Sequence, residues 1–241
     1  MKIALAQIKS LPGDIRTNTV GHLRLIDRAA ENAADAICFP ELSLTAYEPD
    51  IAKKLAFEDN DIRLESFSEK SISQQLWIGI GIPYQMNSGI AIGMRIFEPS
   101  GIQRTYTKKY LHQDELAFFT SAENRETLTI KGQAVSLAIC YELSVDEHQQ
   151  KSIKKNTLCL IASVAKHEKG VSEAYPRMSA IARKYQIPTL LVNAIGMADG
   201  MMCAGRSAVW DSEGNLREQL PDDQEGLLIY DLNKQTADCL F

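Results

Sequence analysis

The sequence predicts an α/β fold in which helices cover a mixed sheet or two packed sheets. Three observations along the 241 residues support this prediction. Apolar runs of strand length alternate with helical stretches, strands outnumber helices, and hairpins occur between crossover connections. The hairpins favour these arrangements over a purely parallel, doubly wound sheet. Because no Ser/Gly-rich linker divides the chain, we expect a single domain over residues 1–241.

The first half of the chain predicts three strands, two helical segments and a hairpin. The opening strand is "KIALAQI", and apolar residues follow it at helical spacing, namely Val20, Leu23, Ile26, Ala30 and Ala33. "AICFPEL" is apolar on both faces, as buried strands are. Residues 50–75 are charged and predicted to be helical, and the strand "LWIGIGIPY" follows them. "GIAIGMRIFEPSGIQRTYTK" predicts a hairpin with its turn at residues 99–101.

The second half predicts further strands, two helices and a late hairpin. "ETLTI" and "AVSLAIC" flank a turn at Lys131 and Gly132, a short helix starts at about Val145, and "TLCLIAS" is the next strand. "SEAYPRMSAIARKYQ" predicts a helix with Pro176 in its first turn, where proline is tolerated. The strand "TLLVNAIG", a hairpin around residues 211–214 and the strand "GLLIYDL" follow.

Composition and charge exclude several classes of partner. With a net charge of −5, the chain is mildly acidic and has no basic block, so it is a poor candidate for binding nucleic acid or an anionic membrane. No apolar run reaches transmembrane length, and the N-terminus lacks the apolar region of a signal peptide. Five cysteines, odd in number and without a CxxC pair, indicate a reducing cytoplasm with no disulfide framework and no zinc site.

Cys140 is the candidate nucleophile. It ends the apolar run "VSLAIC", and chain that leaves such a strand emerges at the carboxyl edge of the sheet, where open α/β folds keep their reactive groups. Most free cysteines in apolar runs are structural, and we assign Cys38, Cys159 and Cys203 to that class. Cys140 differs because polar chain follows it. Since only the thiolate is a good nucleophile, Cys140 needs a base or a cation nearby.

A carboxylate and an ammonium are available near other strand ends. Glu41 follows the strand "AICFPEL" within an apolar stretch, and desolvation there raises the pKa of a carboxyl group toward values useful for proton transfer. Lys108 and Lys109 are adjacent in "YTKKYL", and neighbours in an extended strand face opposite ways, so one of the two can point inward. A thiol, a carboxylate and an ammonium would suffice to hydrolyse an amide through a covalent intermediate.

Taken in this order, the segments resemble the nitrilase (carbon–nitrogen hydrolase) superfamily. "FPELSLTAY" is similar to its glutamate motif, "YTKKYLHQDE" to its lysine motif and "LAICYEL" to its cysteine motif, and the resemblance covers nearly the whole chain. It implies a four-layer α-β-β-α sandwich with two mixed sheets. It also implies assembly as a homodimer or higher homo-oligomer, without a metal or cofactor.

The resemblance assigns roles position by position. The general base and acid is Glu41, the lysine is Lys108 rather than Lys109, the nucleophile is Cys140, and the second glutamate of the family is Glu115. The resemblance implies that Lys108 and a backbone N–H stabilise the oxyanion. Candidate substrate-binding and oxyanion residues are Tyr141, Tyr47, Glu142, Lys166 and His167.

The activity that the resemblance implies is hydrolysis of a small non-peptide C–N bond in the cytoplasm. The substrate would be an amide or carbamoyl compound, or a nitrile, cleaved through a Cys thioester. Two alternatives stay open. The same triad could pass the acyl group to an amine or lipid, although family acyltransferases tend to carry membrane segments. The chain could also be a non-catalytic binding or scaffold subunit, against which the intact triad argues.

The cysteine motif departs from the pattern of many family members at Ser144. Those members carry an arginine at this position, which in some branches binds a substrate carboxylate. Serine offers one neutral hydrogen bond instead of a bidentate, charge-assisted pair. We therefore expect a preference for neutral or cationic amides, unless Lys166, His167 or Arg177 supplies a substitute cation.

Overall fold

The computed structural model describes residues 1–122 and 128–241, which form fifteen strands and five α-helices. The strands are β1 (Lys2–Gln7), β2 (Ala36–Cys38), β3 (Trp77–Met86), β4 (Gly89–Phe97), β5 (Gln103–Thr107), β6 (Leu128–Ile130), β7 (Gln133–Ile139), β8 (Thr157–Val164), β9 (Thr189–Asn193), β10 (Ile195–Ala198), β11 (Met201–Ala204), β12 (Ala208–Trp210), β13 (Leu216–Gln219), β14 (Gly226–Asp231) and β15 (Thr236–Leu240). The helices are α1 (Ile15–Glu31), α2 (Pro49–Leu55), α3 (Glu65–Gln74), α4 (Asp146–Ser152) and α5 (Glu168–Tyr185).

The strands form two mixed sheets and a separate hairpin. Sheet 1 has seven strands in the order β15-β14-β1-β2-β3-β4-β5, and sheet 2 has six in the order β13-β12-β9-β8-β7-β6. Parallel pairs lie in the middle of each sheet, β1-β2-β3 in sheet 1 and β7-β8-β9 in sheet 2, and antiparallel pairs flank them. β10 and β11 pair with each other. The prediction of mixed sheets is confirmed.

Side chains alternate between the two faces of each strand and so contribute to different layers of the fold. In β1, Ile3 and Leu5 face the apolar core between the two sheets, whereas Ala4 and Ala6 belong to the core on the outer face of sheet 1. The core between the sheets also receives Leu137 and Ile161 and further side chains from both sheets. The two sheets therefore pack face to face, as the four-layer prediction requires.

Helices close both outer faces of the sandwich. α1 and α3 place Leu25, Ile26, Ala29 and Phe67 against the outer side of sheet 1. α5 covers sheet 2 with residues that recur at helical spacing, namely Ala174, Met178, Ile181 and Ala182. The order of layers is thus α-β-β-α. No helix in the described ranges is long and apolar enough to cross a membrane.

The predicted start of α5 and the predicted position of Pro176 are wrong. The helix begins at Glu168, so Pro176 is its ninth residue rather than a member of its first turn. A proline there removes the hydrogen bond to the carbonyl of Ser172. Ser172 is exposed, so water can satisfy that carbonyl. The predicted strand "ETLTI" is described only from Leu128 onward, because its first two residues lie outside the described ranges.

The fold brings several strand ends to one place. β7 and β8 are parallel neighbours with Ile139 opposite Ser163, so the chain leaves both strands at the same edge of sheet 2. The Ser163 hydroxyl donates a hydrogen bond of 2.9 Å to the carbonyl of Phe39, just after β2 in sheet 1. The chain that follows β2 therefore lies against the ends of β7 and β8.

Candidate active site

Lys108 lies at the centre of a buried cluster of charges. It directly follows β5, and its backbone N–H donates to the carbonyl of Ile92 at 2.8 Å. Its fully buried ammonium donates to Oε1 of Glu41 at 2.7 Å and to Oε1 of Glu115 at 2.6 Å. Burial acts to lower the pKa of Lys108, but the negative charges of Glu41 and Glu115, joined at high pH by that of the ionised Cys140, outweigh it and raise that pKa. Lys108 is therefore a stable ammonium.

Glu41 has one carboxylate oxygen in use and one available. Oε1 accepts the hydrogen bond from Lys108, whereas Oε2 is buried and has no hydrogen-bond partner in the described part of the chain. Burial raises the pKa of Glu41; Lys108 opposes this effect, and the charge of Glu115 adds to it. A buried carboxylate with a free oxygen and a raised pKa has the properties of a general base.

Gly81 allows the turn that carries Glu41 to pack against β3. The N–H of Leu44 donates to the carbonyl of Gly81 at 3.0 Å. A Cβ on Gly81 would lie 2.2 Å from the carbonyl oxygen of Pro40 and 2.4 Å from the nitrogen of Leu42, far inside van der Waals contact. A side chain at Gly81 would therefore push the Glu41 turn out of place.

Cys140 adopts a backbone conformation that L-residues rarely use. It follows β7, begins a 3₁₀ helix at residues 140–144 and has φ of 43°. Such strained residues concentrate at functional sites. Burial and the charge of Glu41 raise the pKa of the Cys140 thiol to about 11, although Lys166 and Lys108 act to lower it. The thiol is therefore protonated at neutral pH and requires a base when it attacks.

Tyr141 has an exposed ring and a backbone N–H at the start of a 3₁₀ helix. It is the second residue of the 3₁₀ helix that Cys140 begins, and its side chain is 37% exposed. The N–H groups of the first turn of a 3₁₀ helix precede the first i→i+3 hydrogen bond. The N–H of Tyr141 is therefore available to an oxyanion formed beside Cys140.

Glu115 holds two other side chains of the cluster in place. Its Oε1 accepts hydrogen bonds from Lys108 and, at 2.9 Å, from the hydroxyl of Tyr47, while its Oε2 accepts from the N–H of His112 at 2.7 Å. Burial and the charges of Glu41 and Glu115 raise the pKa of Tyr47, so its hydroxyl stays protonated. Glu115 thus fixes a charged donor and a neutral donor on one wall of the site.

Glu142, expected among the substrate-binding residues, is instead committed to the framework. Its buried carboxylate accepts from the hydroxyl of Tyr106 and from the backbone N–H groups of Ile139 and Lys109, each at 2.8 Å. These three donors tie the end of β5 to the end of β7. The carboxylate of Glu142 therefore fixes the segments that carry Lys108 and Cys140, and both of its oxygens are occupied by these donors.

Lys166 and His167 follow β8 but lie in different surroundings. The charge of Lys166 acts on both Glu41 and Cys140 and partly offsets the rise in the pKa of each. His167 caps the N-terminus of α5, and its backbone forms a bridge with that of Cys203. The structure therefore brings Lys166 to the cluster, whereas it uses His167 to start a helix.

Two residues that support the site were missed by the sequence reasoning. Gly81 had a signal, because a glycine inside a strand often marks the close approach of another backbone. No sequence signal indicated Asn193, whose side chain makes two hydrogen bonds with the backbone of Lys166. Within the described residues, no group of three or more His, Cys, Asp and Glu side chains could hold a metal ion.

One large cavity is separate from the charged cluster. It has a volume of about 840 Å³ and lies beside β5 and α4, with Arg95, Tyr106, Ser136 and His148 among its lining residues. Neither the cysteine nor the buried ion cluster lines it. The chemistry indicated by the charged cluster therefore belongs to the strand ends and not to this cavity.

Comparison with known proteins identifies the class. A family model described as carbon-nitrogen hydrolase matches residues 2–239, so the chain belongs to the carbon-nitrogen hydrolase family. Among solved structures, a mutant of the amidase from Nesterenkonia sp. AN1 in complex with butyramide superposes with a TM-score of 0.84 at 22% identity, covering 95% of this chain and 89% of that one. A CN-hydrolase superfamily protein from Xanthomonas campestris gives 0.87 at 16% identity, covering 100% and 90%.

Curated relatives fall into two groups. A glutamine-dependent NAD(+) synthetase from Synechocystis sp. is 27% identical over 96% of this chain, but only over 46% of its own length. An (R)-stereoselective amidase from Pseudomonas sp. is 24% identical over 98% of this chain and 87% of its own. The chain thus spans about half the length of the synthetases that it matches.

Proposed function

We propose that this chain is an amidohydrolase that cleaves a small non-peptide C–N bond of an amide or carbamoyl compound through a thioester on Cys140. One observation is the main support for this proposal. The free oxygen of Glu41, the ammonium of Lys108 and a protonated thiol belong to one cluster at the strand ends. These are a base, an electrostatic stabiliser and a nucleophile, the three groups that covalent amide hydrolysis needs.

In the first step, Glu41 removes the proton of the Cys140 thiol as the sulfur attacks the carbonyl carbon. The charge that develops on the carbonyl oxygen is stabilised by Lys108 and by the N–H of Tyr141. One such donor is often worth about 3 kcal/mol in the transition state. The C–N bond then breaks, and Glu41 returns its proton to the departing ammonia or amine.

In the second step, water hydrolyses the thioester. Glu41, again a carboxylate, removes a proton from the water that attacks the thioester carbon, and the thiol of Cys140 is released with that proton. Glu115 keeps Lys108 in place throughout, because it supplies the second hydrogen bond to the ammonium. No step requires a metal or cofactor.

The test is ammonia release from a panel of small amides, carbamoyl compounds and nitriles. We expect turnover of at least one amide or carbamoyl compound by the wild type and none by Cys140→Ala. The acyltransferase alternative would release little free acid until an amine acceptor is added, whereas a hydrolase releases free acid in water alone. A protein that binds these compounds but turns none over would support the scaffold alternative and contradict the proposal.

A second candidate is hydrolysis of the side-chain amide of glutamine. It is favoured because the matched segment covers under half of several glutamine-dependent NAD(+) synthetases. In this version the released ammonia would serve a synthetase reaction. Glutamine turned over with a kcat/KM well above that of butyramide would support this candidate, and glutamine inert beside an active amide would contradict it.

We also propose that the chain works in the cytoplasm as a homodimer or higher homo-oligomer. All five cysteines are free, which suits a reducing compartment. Light scattering of the purified protein tests the assembly, and a monomer at micromolar concentration would contradict it.

A further inference from the structure

We propose that the ammonium of Lys166 binds a carboxylate on the acyl portion of the substrate, so that the enzyme prefers short amides that carry an acidic tail. This inference rests on the proposed amidohydrolase function and specifies the substrate class. It opposes the preference for neutral amides expected from Ser144, and it selects Lys166 from the three cations that could replace the missing arginine.

The backbone of Lys166 is fixed beside the nucleophile. Lys166 lies two residues beyond β8, the parallel neighbour of the strand that leads to Cys140. Its N–H donates to Oδ1 of Asn193 at 2.8 Å, and its carbonyl accepts from Nδ2 of Asn193 and from the N–H of Ala204, each at 2.9 Å. Because both the N–H and the carbonyl of Lys166 are hydrogen-bonded, its Cα has a defined position at the edge of the site.

The stem of the Lys166 side chain is also placed. A Cβ on Gly170 would lie 3.3 Å from Cβ and 3.4 Å from Cγ of Lys166, so the stem packs directly over the first turn of α5. The side chain is half-buried, and its ammonium has no hydrogen bond or ion pair within the described part of the chain. Lys108, by contrast, uses its ammonium on two carboxylates. Lys166 is thus a positioned cation that is free to bind a substrate.

The charges of the cluster explain what this cation does. Glu41, Glu115 and Lys108 together carry a net charge of −1 when all are ionised, and this charge would repel an anionic substrate. The charge of Lys166 is felt at both Glu41 and Cys140 and brings the sum to zero. A substrate carboxylate paired with Lys166 is therefore not repelled by the cluster, and it forms an ion pair with a half-buried ammonium.

The other two candidate cations lie in different surroundings. Arg177 is exposed on α5. His167 is the N-cap residue of that helix, and its Nδ1 would also lie 3.3 Å from a Cβ on Gly170. Ser144 is exposed at the end of the 3₁₀ helix. Of these residues, only Lys166 has a charge that acts on both the nucleophile and the base.

The experiment compares succinamate and glutaramate with their methyl esters in the wild type and in Lys166→Gln. We expect the wild type to prefer the free acid of at least one pair by about thirtyfold in kcat/KM, the difference between a charge-assisted and a neutral contact. Lys166→Gln should lose that factor on the acid, mainly through KM, and should lose clearly less on the ester, which has no carboxylate to pair with Lys166. Lys166→Arg should restore most of the preference.

The matched control is Lys169→Gln, which removes the same charge from an exposed position three residues away and should leave both substrates unchanged. Equal losses on acid and ester in Lys166→Gln would assign Lys166 to the reaction itself and overturn the inference. A wild type that prefers the esters would overturn it as well.

Binding separates this inference from the proposed function. Calorimetry with glutaramate and succinamate in the Cys140→Ala background needs no turnover. Binding of at least one of the two acids that is weakened about thirtyfold by the added Lys166→Gln supports the anion site even if the wild type hydrolyses neither compound. Binding of neither acid, or binding indifferent to Lys166, refutes the site even if neutral amides are hydrolysed.

Discussion

Replacing Glu41 by glutamine removes the proposed base while keeping the size and shape of its side chain. The amide oxygen of the new side chain can still accept the hydrogen bond from Lys108, and Glu115 still pairs with the ammonium, so the fold should persist. What is lost is the carboxylate oxygen without a partner, which in the wild type can take the proton of the thiol. The variant therefore isolates proton transfer from charge stabilisation.

The size of the effect follows from the pKa of the thiol. That pKa is raised to about 11, so at pH 7 about one thiol in 10,000 is ionised without help from a base. The negative charge of Glu41 is one cause of the raised pKa of Cys140. Removing that charge lowers the pKa of the thiol and so offsets part of the loss of activity. We expect kcat/KM to fall between about 100-fold and 10,000-fold, the range of general-base catalysis.

The assay is the pH dependence of kcat/KM for one good amide substrate. In Glu41→Gln the rate should rise almost tenfold for each pH unit from 7 to 9, because it follows the ionised thiol. The wild-type rate should instead fall on the acid side as Glu41 gains a proton. Because the pKa of Glu41 is raised, that fall lies above the ordinary value of 4.5. A variant that keeps a tenth of the activity, or shows no pH slope, would refute this account.

Three further substitutions test the neighbouring parts of the site. Lys108→Ala should lower activity by orders of magnitude. Lys109→Ala should change activity less than about threefold, because a solvated charge is worth under about 1 kcal/mol. Similar losses in both variants would contradict the choice of Lys108. Gly81→Ala should cost about 1–3 kcal/mol in denaturant unfolding and also lower kcat, and unchanged kcat would contradict its positioning role. Cys140→Ala should abolish turnover with little change in Tm, whereas Cys159→Ala should keep turnover and lose about 1 kcal/mol of stability; the reverse pattern would contradict both assignments.

Local patterns predicted the strands and the residues at their ends. The apolar run before Cys140 and the one before Glu41 are short, buried strands whose signal lies within a few residues, so their ends could be placed from sequence. The start of α5 could not be placed from the sequence, because residues 168–171 contain two charged residues and a glycine and lack the apolar spacing of a helix. The helix forms there because Gly170 and Val171 are buried against the rest of the fold.

The chemistry of the site depended more on tertiary contacts. Alternation along β5 left Lys108 and Lys109 equivalent until the resemblance selected one of them, and burial of the ammonium between Glu41 and Glu115 gives the physical reason. Glu142 lies two residues after the nucleophile, and nothing local showed that its carboxylate would also accept from Tyr106 and Lys109, which are 36 and 33 residues away in sequence. Partners remote in sequence decided whether these side chains face the substrate or the framework.

The raised pKa of Cys140 also affects how a thiol reagent would report on this cysteine. A catalytic cysteine is often recognised by fast alkylation at neutral pH. Here the pKa of Cys140 is raised to about 11, so slow alkylation at pH 7 is compatible with catalysis. Substrate-dependent chemistry at Cys140 is the better criterion.

Acid-quench mass spectrometry during turnover of a small amide tests the central claim, a thioester on Cys140, most directly. The account predicts that, at early times, the peptide containing Cys140 gains the mass of the acyl group, that hydroxylamine removes this mass, and that Cys140→Ala never acquires it. An acyl group on any other residue, or continued turnover by Cys140→Ala, would contradict it.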